Sequence, residues 1–288
     1  MIEIILNPIA GNGRSKNICK DVCALLDQRG VDYCLHETQR PLHAMELAHD
    51  AAIRHTPTVL SIGGDGTAYE IACGLMNTST SLGIIPAGTG NDFIKAVGCP
   101  KNPLQALDYI FSHEPRCIDI GFLNDKLFLN CCGVGFDVMV LEYSIKAKRY
   151  FHGLLPYLYG VLRTIFTYKP VHITYTLDSG NTVEESVLLF CIANGRFFGG
   201  GIPIAPTARL DDGLFDVVIV EAIPRWKIPY YLPGLMRGKI ASYPITRHIL
   251  CKDIRLTASS GKMNVDGEIL PLDKATFSVS QTSLRLIW

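Results

Sequence analysis

The stretch Thr58-Val59-Leu60-Ser61-Ile62-Gly63-Gly64-Asp65-Gly66-Thr67 decides how the chain folds. A short apolar run stops abruptly at a glycine-rich turn, the pattern of a buried strand that hands the chain to a helix. Working outward, Leu82 to Ile85 repeats the pattern and runs into Pro86-Ala87-Gly88-Thr89-Gly90-Asn91-Asp92. Upstream, Ile2 to Leu6 ends at Asn7-Pro8, and a loop holding Gly11 and Gly13 precedes a helix with apolar positions Ile18, Val22 and Leu25. Val31 to His36 reads as a further strand, Met45 to Ile53 as the helix after it, and Pro103 to Ser112 as another helix. Strands alternating with helices predict βαβ units and a parallel sheet. Loops at the carboxyl ends of such strands share the edge where ligands bind, so those starting at Asn7, Gly63 and Pro86 are expected to converge.

From Cys117 the texture changes to β-branched and aromatic runs joined by hairpin turns. Phe122 to Phe128 folds around Asn124-Asp125, and Val171 to Leu177 is joined to Thr182 to Ala193 through Ser179-Gly180-Asn181. These are antiparallel signals. Residues 1–122 are therefore expected as an α/β domain and residues 123–282 as a β-rich one, with helical insertions at Leu141 to Thr167 and Trp226 to Ile240.

Composition narrows the function. With 48% hydrophobic and 19% charged residues in 288, the chain can build a sizeable core and is neither collagenous nor disordered. Its 27 basic residues balance 27 acidic ones, which argues against nucleic acid as a partner. The ten cysteines show no CxxC pair and are read as small apolar filler. No G-x-S-x-G elbow, HExxH or Walker loop occurs. The stretch from Leu154 to Tyr168 is interrupted by Pro156, Gly160 and Arg163 and is too short to span a bilayer. The start, Met1-Ile2-Glu3-Ile4, has no basic n-region, so a cytoplasmic location with reduced thiols is expected.

Consecutive glycines let backbone N–H groups approach an anion, and the following helix adds its positive end. A simple left-handed turn would explain a glycine or two, but not Asp65 inside the turn. A carboxylate there repels phosphate unless a cation intervenes, which points to a Mg²⁺-bound nucleotide. Arg14, opening the first helix, could also meet phosphate. Asp119 lies between Ile118 and Ile120, where a carboxylate is costly unless paired or bound to a metal or water.

Four ordered motifs carry a resemblance. Gly63-Gly64-Asp65-Gly66-Thr67, Pro86-Ala87-Gly88-Thr89-Gly90-Asn91-Asp92-Phe93, the block from Gly199 through Leu210-Asp211-Asp212-Gly213-Leu214-Phe215-Asp216, and Asn264-Val265-Asp266-Gly267-Glu268 are similar to those of the diacylglycerol kinase catalytic domain family of soluble bacterial lipid kinases. The resemblance implies a Rossmann-like N-terminal domain of the NAD kinase and phosphofructokinase type, a C-terminal β-sandwich, and a return of residues 283–288 to the first domain. It implies ATP at Asn7, Pro8, Gly11, Thr38, Gly63, Gly64, Asp65, Gly66, Thr67, Glu70 and Thr89. It makes Glu268 the proton acceptor, gives Asp65, Asp92 and Asp119 to a water and Mg²⁺ network, and assigns Asp212 with the carbonyls of Arg209 and Leu214 to a structural Mg²⁺. Two departures fall beside the nucleotide: Ala68-Tyr69-Glu70 where the family has Leu-Asn-Glu, and Ile94-Lys95 where it has Ala-Arg.

The implied activity is transfer of the γ-phosphate of ATP to a lipid hydroxyl, diacylglycerol first. Phosphatidylglycerol, a sphingoid base or a polyprenol would also offer one. An NAD kinase is the nearest rival, and a non-catalytic nucleotide sensor at the membrane is a rival of another class. Leu141 to Lys169 holds Lys146, Lys148, Arg149, Arg163 and Lys169 among aromatics, and Arg225 to Lys239 adds Arg225, Lys227, Arg237 and Lys239 beside Trp226, Tyr230 and Tyr231. Ordinary helices packed on a sheet would account for both, but a lipid substrate favours peripheral contact with an anionic membrane surface. A homodimer is left open.

Overall fold

The computed structural model describes residues 1–151, 153 and 155–288, without the side chains of 281–283, and its chain separates into two compact units. The first comprises Met1–Ile120, Leu210–Asp212 and Ser280–Trp288. It runs β1 (Ile2–Leu6), α1 (Arg14–Gln28), β2 (Tyr33–Glu37), α2 (His43–Ile53), β3 (Thr58–Gly63), α3 (Asp65–Leu75), β4 (Ser81–Pro86), α4 (Asp92–Ala96) and α5 (Pro103–Ser112) into β5 (Pro115–Leu123). The sheet order is β2-β1-β3-β4, all parallel, and β4 also pairs in parallel with the final strand at Arg285 and Leu286. Ile4, Ile5, Val59, Leu60, Ile62, Leu82 and Ile85 are fully buried. Strands covered on both faces need such continuous apolar runs, which is why β1, β3 and β4 are readable from the sequence. On α1 the buried row is Ile18, Cys19, Val22 and Leu26, so Leu26 takes the inward place expected of Leu25.

The second unit comprises Gly121–Arg209 and Gly213–Val279. It adds β6 (Lys126–Phe128), β7 (Cys131–Gly135), α6 (Phe136–Ala147), α7 (Leu155–Thr167), β8 (Val171–Leu177), β9 (Val183–Ala193), β10 (Phe197–Phe198), β11 (Ile202–Pro203), β12 (Phe215–Glu221), α8 (Ile228–Met236), β13 (Thr246–Cys251), β14 (Asp253–Ala258), β15 (Lys262–Val265), β16 (Glu268–Pro271) and β17 (Ala275–Ile287). Its pairs are antiparallel, in the order β16-β15-β7-β9-β8-β14-β17, with β12 between β9 and β13. One face closes over Phe128, Phe190, Phe215, Phe277 and Met263, with the Phe128 and Phe215 rings stacked 5.6 Å apart. The other face is covered by α6, α7 and α8 through Phe136, Val140, Val161, Tyr168 and Ile228.

Two sequence readings change. The cysteines are not all filler, because Cys34 and Cys117 are exposed while six are buried. The first insertion is two helices, α6 and α7, with residues 152 and 154 outside the described ones; the second is α8 flanked by 3-10 turns at Arg225–Lys227 and Ile240–Ser242. Pro229 at the start of α8, Pro233 within it and Gly238 after it limit its length. No described helix is long and apolar enough to cross a membrane.

Candidate active site

In the first unit the parallel register sets Leu6 beside Ile62 and Gly63 beside Pro86, so three loops start side by side. They interlock. The Asn7 amide donates to Thr67 Oγ1 at 3.0 Å, and Ser15 Oγ donates to the Asn7 carbonyl at 2.7 Å. The N–H groups of Ala87 and Gly88 both donate to the Gly63 carbonyl, at 2.8 and 3.0 Å. A Cβ on Gly11 would lie 2.2 Å from the Ala87 oxygen, and one on Gly88 would lie 2.5 Å from the Gly64 Cα. Only glycine permits these backbone approaches.

Asp65, the first residue of α3, accepts the N–H of Asp92 at Oδ2 and that of Phe93 at Oδ1, each at 3.1 Å. It thereby ties the start of α4 to the first glycine loop. Burial, reinforced by the Asp92 carboxylate, pushes Asp65 above the usual carboxylate range, against the pull of those amides. Asp92 in turn meets Lys95 at 3.3 Å. Around them Gly66 and Thr89 are exposed, Pro8 is half-buried and Arg14 is an exposed first residue of α1. Thr38 N–H donates to the Leu6 carbonyl at 2.9 Å, which holds the end of β2 beside the Asn7 loop. Glu70 accepts the N–H of Ala44 at 3.2 Å, capping α2, whose own N-cap residue Leu42 has no side-chain bond to offer. Asp119 is buried in β5, and its N–H donates to the Leu210 carbonyl at 2.6 Å.

In the second unit Val265 pairs with Glu268 across a two-residue turn, Asp266 and Gly267, with φ of 46° and 90°. Positive φ at both central positions suits an Asp-Gly hairpin. The Asp266 carboxylate accepts the N–H groups of Leu129, Asn130 and Cys131 at 2.6, 3.0 and 2.9 Å, fastening the turn to the segment leading into β7. Glu268, 70% exposed, meets Lys126 Nζ at 3.0 Å. Asn264 accepts the Gly267 N–H at 2.9 Å and donates to Asp137 at 3.1 Å. Sequence reasoning named Glu268 but missed Lys126, Asp137, and what Asn264 and Asp266 hold; only the Asn-Val-Asp-Gly-Glu motif gave a local signal. Of the expected structural cation site, half-buried Asp212 belongs to the first unit, and exposed Arg209 and half-buried Leu214 to the second. Among the described residues no cluster of three or more His, Cys, Asp or Glu side chains gathers as a metal site.

Residues 2–123 match the family model described as diacylglycerol kinase catalytic domain, and residues 130–288 match the YegS C-terminal NAD kinase beta sandwich-like domain. A diacylglycerol kinase of Mycobacterium tuberculosis is 30% identical over 292 residues, covering 99% of this chain and 94% of that protein. One of Bacillus subtilis is 32% identical over 271 residues, covering 92% and 89%. Among solved structures, a diacylglycerol kinase of Bacillus anthracis superposes with a TM-score of 0.76 at 22% identity, covering 100% of this chain and 96% of that one. An NAD kinase of Archaeoglobus fulgidus in complex with ATP shares the fold more distantly, with a TM-score of 0.55 at 13% identity over 100% and 94%. Interlocked glycine loops on a parallel sheet, an Asp-Gly-Glu hairpin on an antiparallel one, and matches spanning both halves in order lead to one conclusion: the chain belongs to the diacylglycerol kinase catalytic domain family of bacterial lipid kinases.

Proposed function

We propose that the protein transfers the γ-phosphate of ATP to the hydroxyl of a membrane lipid, diacylglycerol being the favoured acceptor and phosphatidic acid the product. The observation that carries this reading is the extent of the match to the M. tuberculosis diacylglycerol kinase, which spans 99% of this chain and 94% of that relative. Residues 1–122 would hold the nucleotide and residues 123–282 the lipid.

Phosphoryl transfer asks little covalent chemistry of a protein and much positioning and charge neutralisation. The glycine loops offer backbone N–H groups at the start of α3, where the helix end favours phosphate. Asp65 and Asp92 are hard oxygen donors close enough that one raises the other's pKa, and a divalent cation fits such a pair. Mg²⁺ held there would neutralise the phosphate charge. Glu268, exposed at a rigid turn, is assigned as the base that orients and deprotonates the lipid hydroxyl.

The lipid side has support of its own. Leu155, Leu158, Tyr159, Leu162 and Phe166 form an exposed row along α7 at helical spacing, and Trp226 and Tyr230 are exposed nearby in sequence to Arg225 and Lys227. The Arg225 guanidinium donates to the Phe166 carbonyl at 2.6 Å, which joins the two segments into one surface. Tyr168, by contrast, is core, so some of the aromatics pack inward and the rest face out. Exposed apolar side chains beside cations suit an anionic bilayer surface.

Labelled ATP offered to a panel of diacylglycerol, phosphatidylglycerol, sphingoid base, polyprenol and NAD tests the assignment. Label is expected in phosphatidic acid, with Glu268→Gln lowering kcat by about 100-fold or more. Label in NAD alone, or undiminished transfer by the variant, would refute the acceptor or the base respectively.

A further inference from the structure

Asn264 faces two ways from β15: its carbonyl oxygen accepts the Gly267 N–H at 2.9 Å, and its amide donates to Asp137 Oδ2 at 3.1 Å. The two bonds fix each other, because an amide flipped end for end would set its NH₂ against the Gly267 N–H and its oxygen against a carboxylate. Asp137 lies in the first turn of α6 and is 7% exposed; Oδ1 is buried with no hydrogen-bond partner among the described residues. Room for the carboxylate exists because residue 133, directly opposite Asn264 on β7, is glycine: a Cβ there would lie 2.0 Å from Asp137 Oδ2.

A buried carboxyl is expensive, and a helix could have satisfied this position with an apolar residue. Burial pushes Asp137 up to about 6, opposed by the Asn264 amide and the first amides of α6. What the expense secures is a line of contact from α6 to the residue preceding Glu268, independent of the Asp266 bonds that fasten the other side of the same turn.

We propose that Asp137, acting through Asn264, is a positioning residue that sets the direction in which the hairpin presents the Glu268 carboxylate. The proposal rests on Glu268 being the base, and its test separates the two ideas. A carboxylate displaced by about 1 Å loses about 100-fold in rate without losing substrate. The variants are Asp137→Leu, Asp137→Asn, Asn264→Leu and Glu268→Gln, alone and with Asp137→Leu and Glu268→Gln combined. Each is measured for kcat, KM for ATP and Tm.

Asp137→Leu and Asn264→Leu are each expected to lower kcat by about 10- to 100-fold with KM for ATP unchanged. Asp137→Asn can still accept from Asn264 through its own oxygen and is expected to recover most of the loss. Asp137→Leu added to Glu268→Gln should change kcat no further, since a positioning residue has nothing left to position. A wild-type kcat in Asp137→Leu with Glu268→Gln impaired overturns the inference and leaves the base assignment standing. A further loss in the double variant equal to that in the single one assigns Asp137 to stability or to substrate instead. Full activity in Glu268→Gln overturns the base. Should Asp137→Leu fail to fold, as its Tm would show, Asp137→Asn and Asn264→Leu carry the same comparison.

Discussion

Gly88 meets Gly64 so closely that a Cβ on either would press on the other's backbone, at 2.5 Å from the Gly64 Cα in one case and 3.2 Å from the Gly88 Cα in the other. Gly66, two residues along, faces open space. Gly88→Ala should therefore destabilise the protein by about 1–3 kcal/mol through backbone displacement and raise KM for ATP. Gly66→Ala should leave stability unchanged or slightly improved; urea unfolding of the two variants checks the contrast. Such glycines, and Asp65 between them, are legible in a sequence because the loop that needs them is local. Asp137 and Lys126 are not, because their partners Asn264 and Glu268 stand 127 and 142 residues away. A half-buried lysine or a helical aspartate looks the same on paper whether its partner is a turn carboxylate or water.

Elements were readable in proportion to how uniformly they are buried. β3 and β4, apolar on both faces, fall within a residue of their expected limits, whereas β2, whose residues are partly exposed, begins at Tyr33 rather than Val31. Periodicity gave the helices around residues 141–167 but not the break between α6 and α7, nor the start of α6 at Phe136, directly after β7. Across β12 and β13, His248 Nε2 meets the buried Asp216 at 2.6 Å, and that hydrogen bond raises the histidine above its ordinary 6.5 despite partial burial. A raised folded-state value means the pair stabilises fully below about pH 6.5 and less as pH climbs through the folded value. The Tm difference between wild type and His248→Gln should accordingly shrink as pH rises above about 6.5. A constant difference would show that the ring acts by packing alone.

Zero net charge, taken over the whole molecule, conceals local excess: the segment from Tyr143 to Lys169 and the one from Arg225 to Lys239 are basic and partly apolar at the surface. Replacing Lys146, Lys148 and Arg149 by glutamate should weaken binding to anionic vesicles about 100-fold or more, at about 1 kcal/mol for each of the three cations lost. Activity on a short-chain dispersed lipid should be untouched; equal losses in both assays would mean the substitutions damage the enzyme rather than its docking. Raising salt should mimic the substitutions, since exposed charges are screened beyond about 10 Å at 0.1 M.

The first unit contains Ser280–Trp288, and β4 takes Arg285 and Leu286 as its parallel neighbours. The sheet of the first unit therefore depends on a strand that follows β4 by some two hundred positions in the chain. Until Arg285 and Leu286 are in place, β4 keeps one edge bare. A chain arrested before residue 280 would hold every glycine loop described above and still lack a finished sheet to carry them.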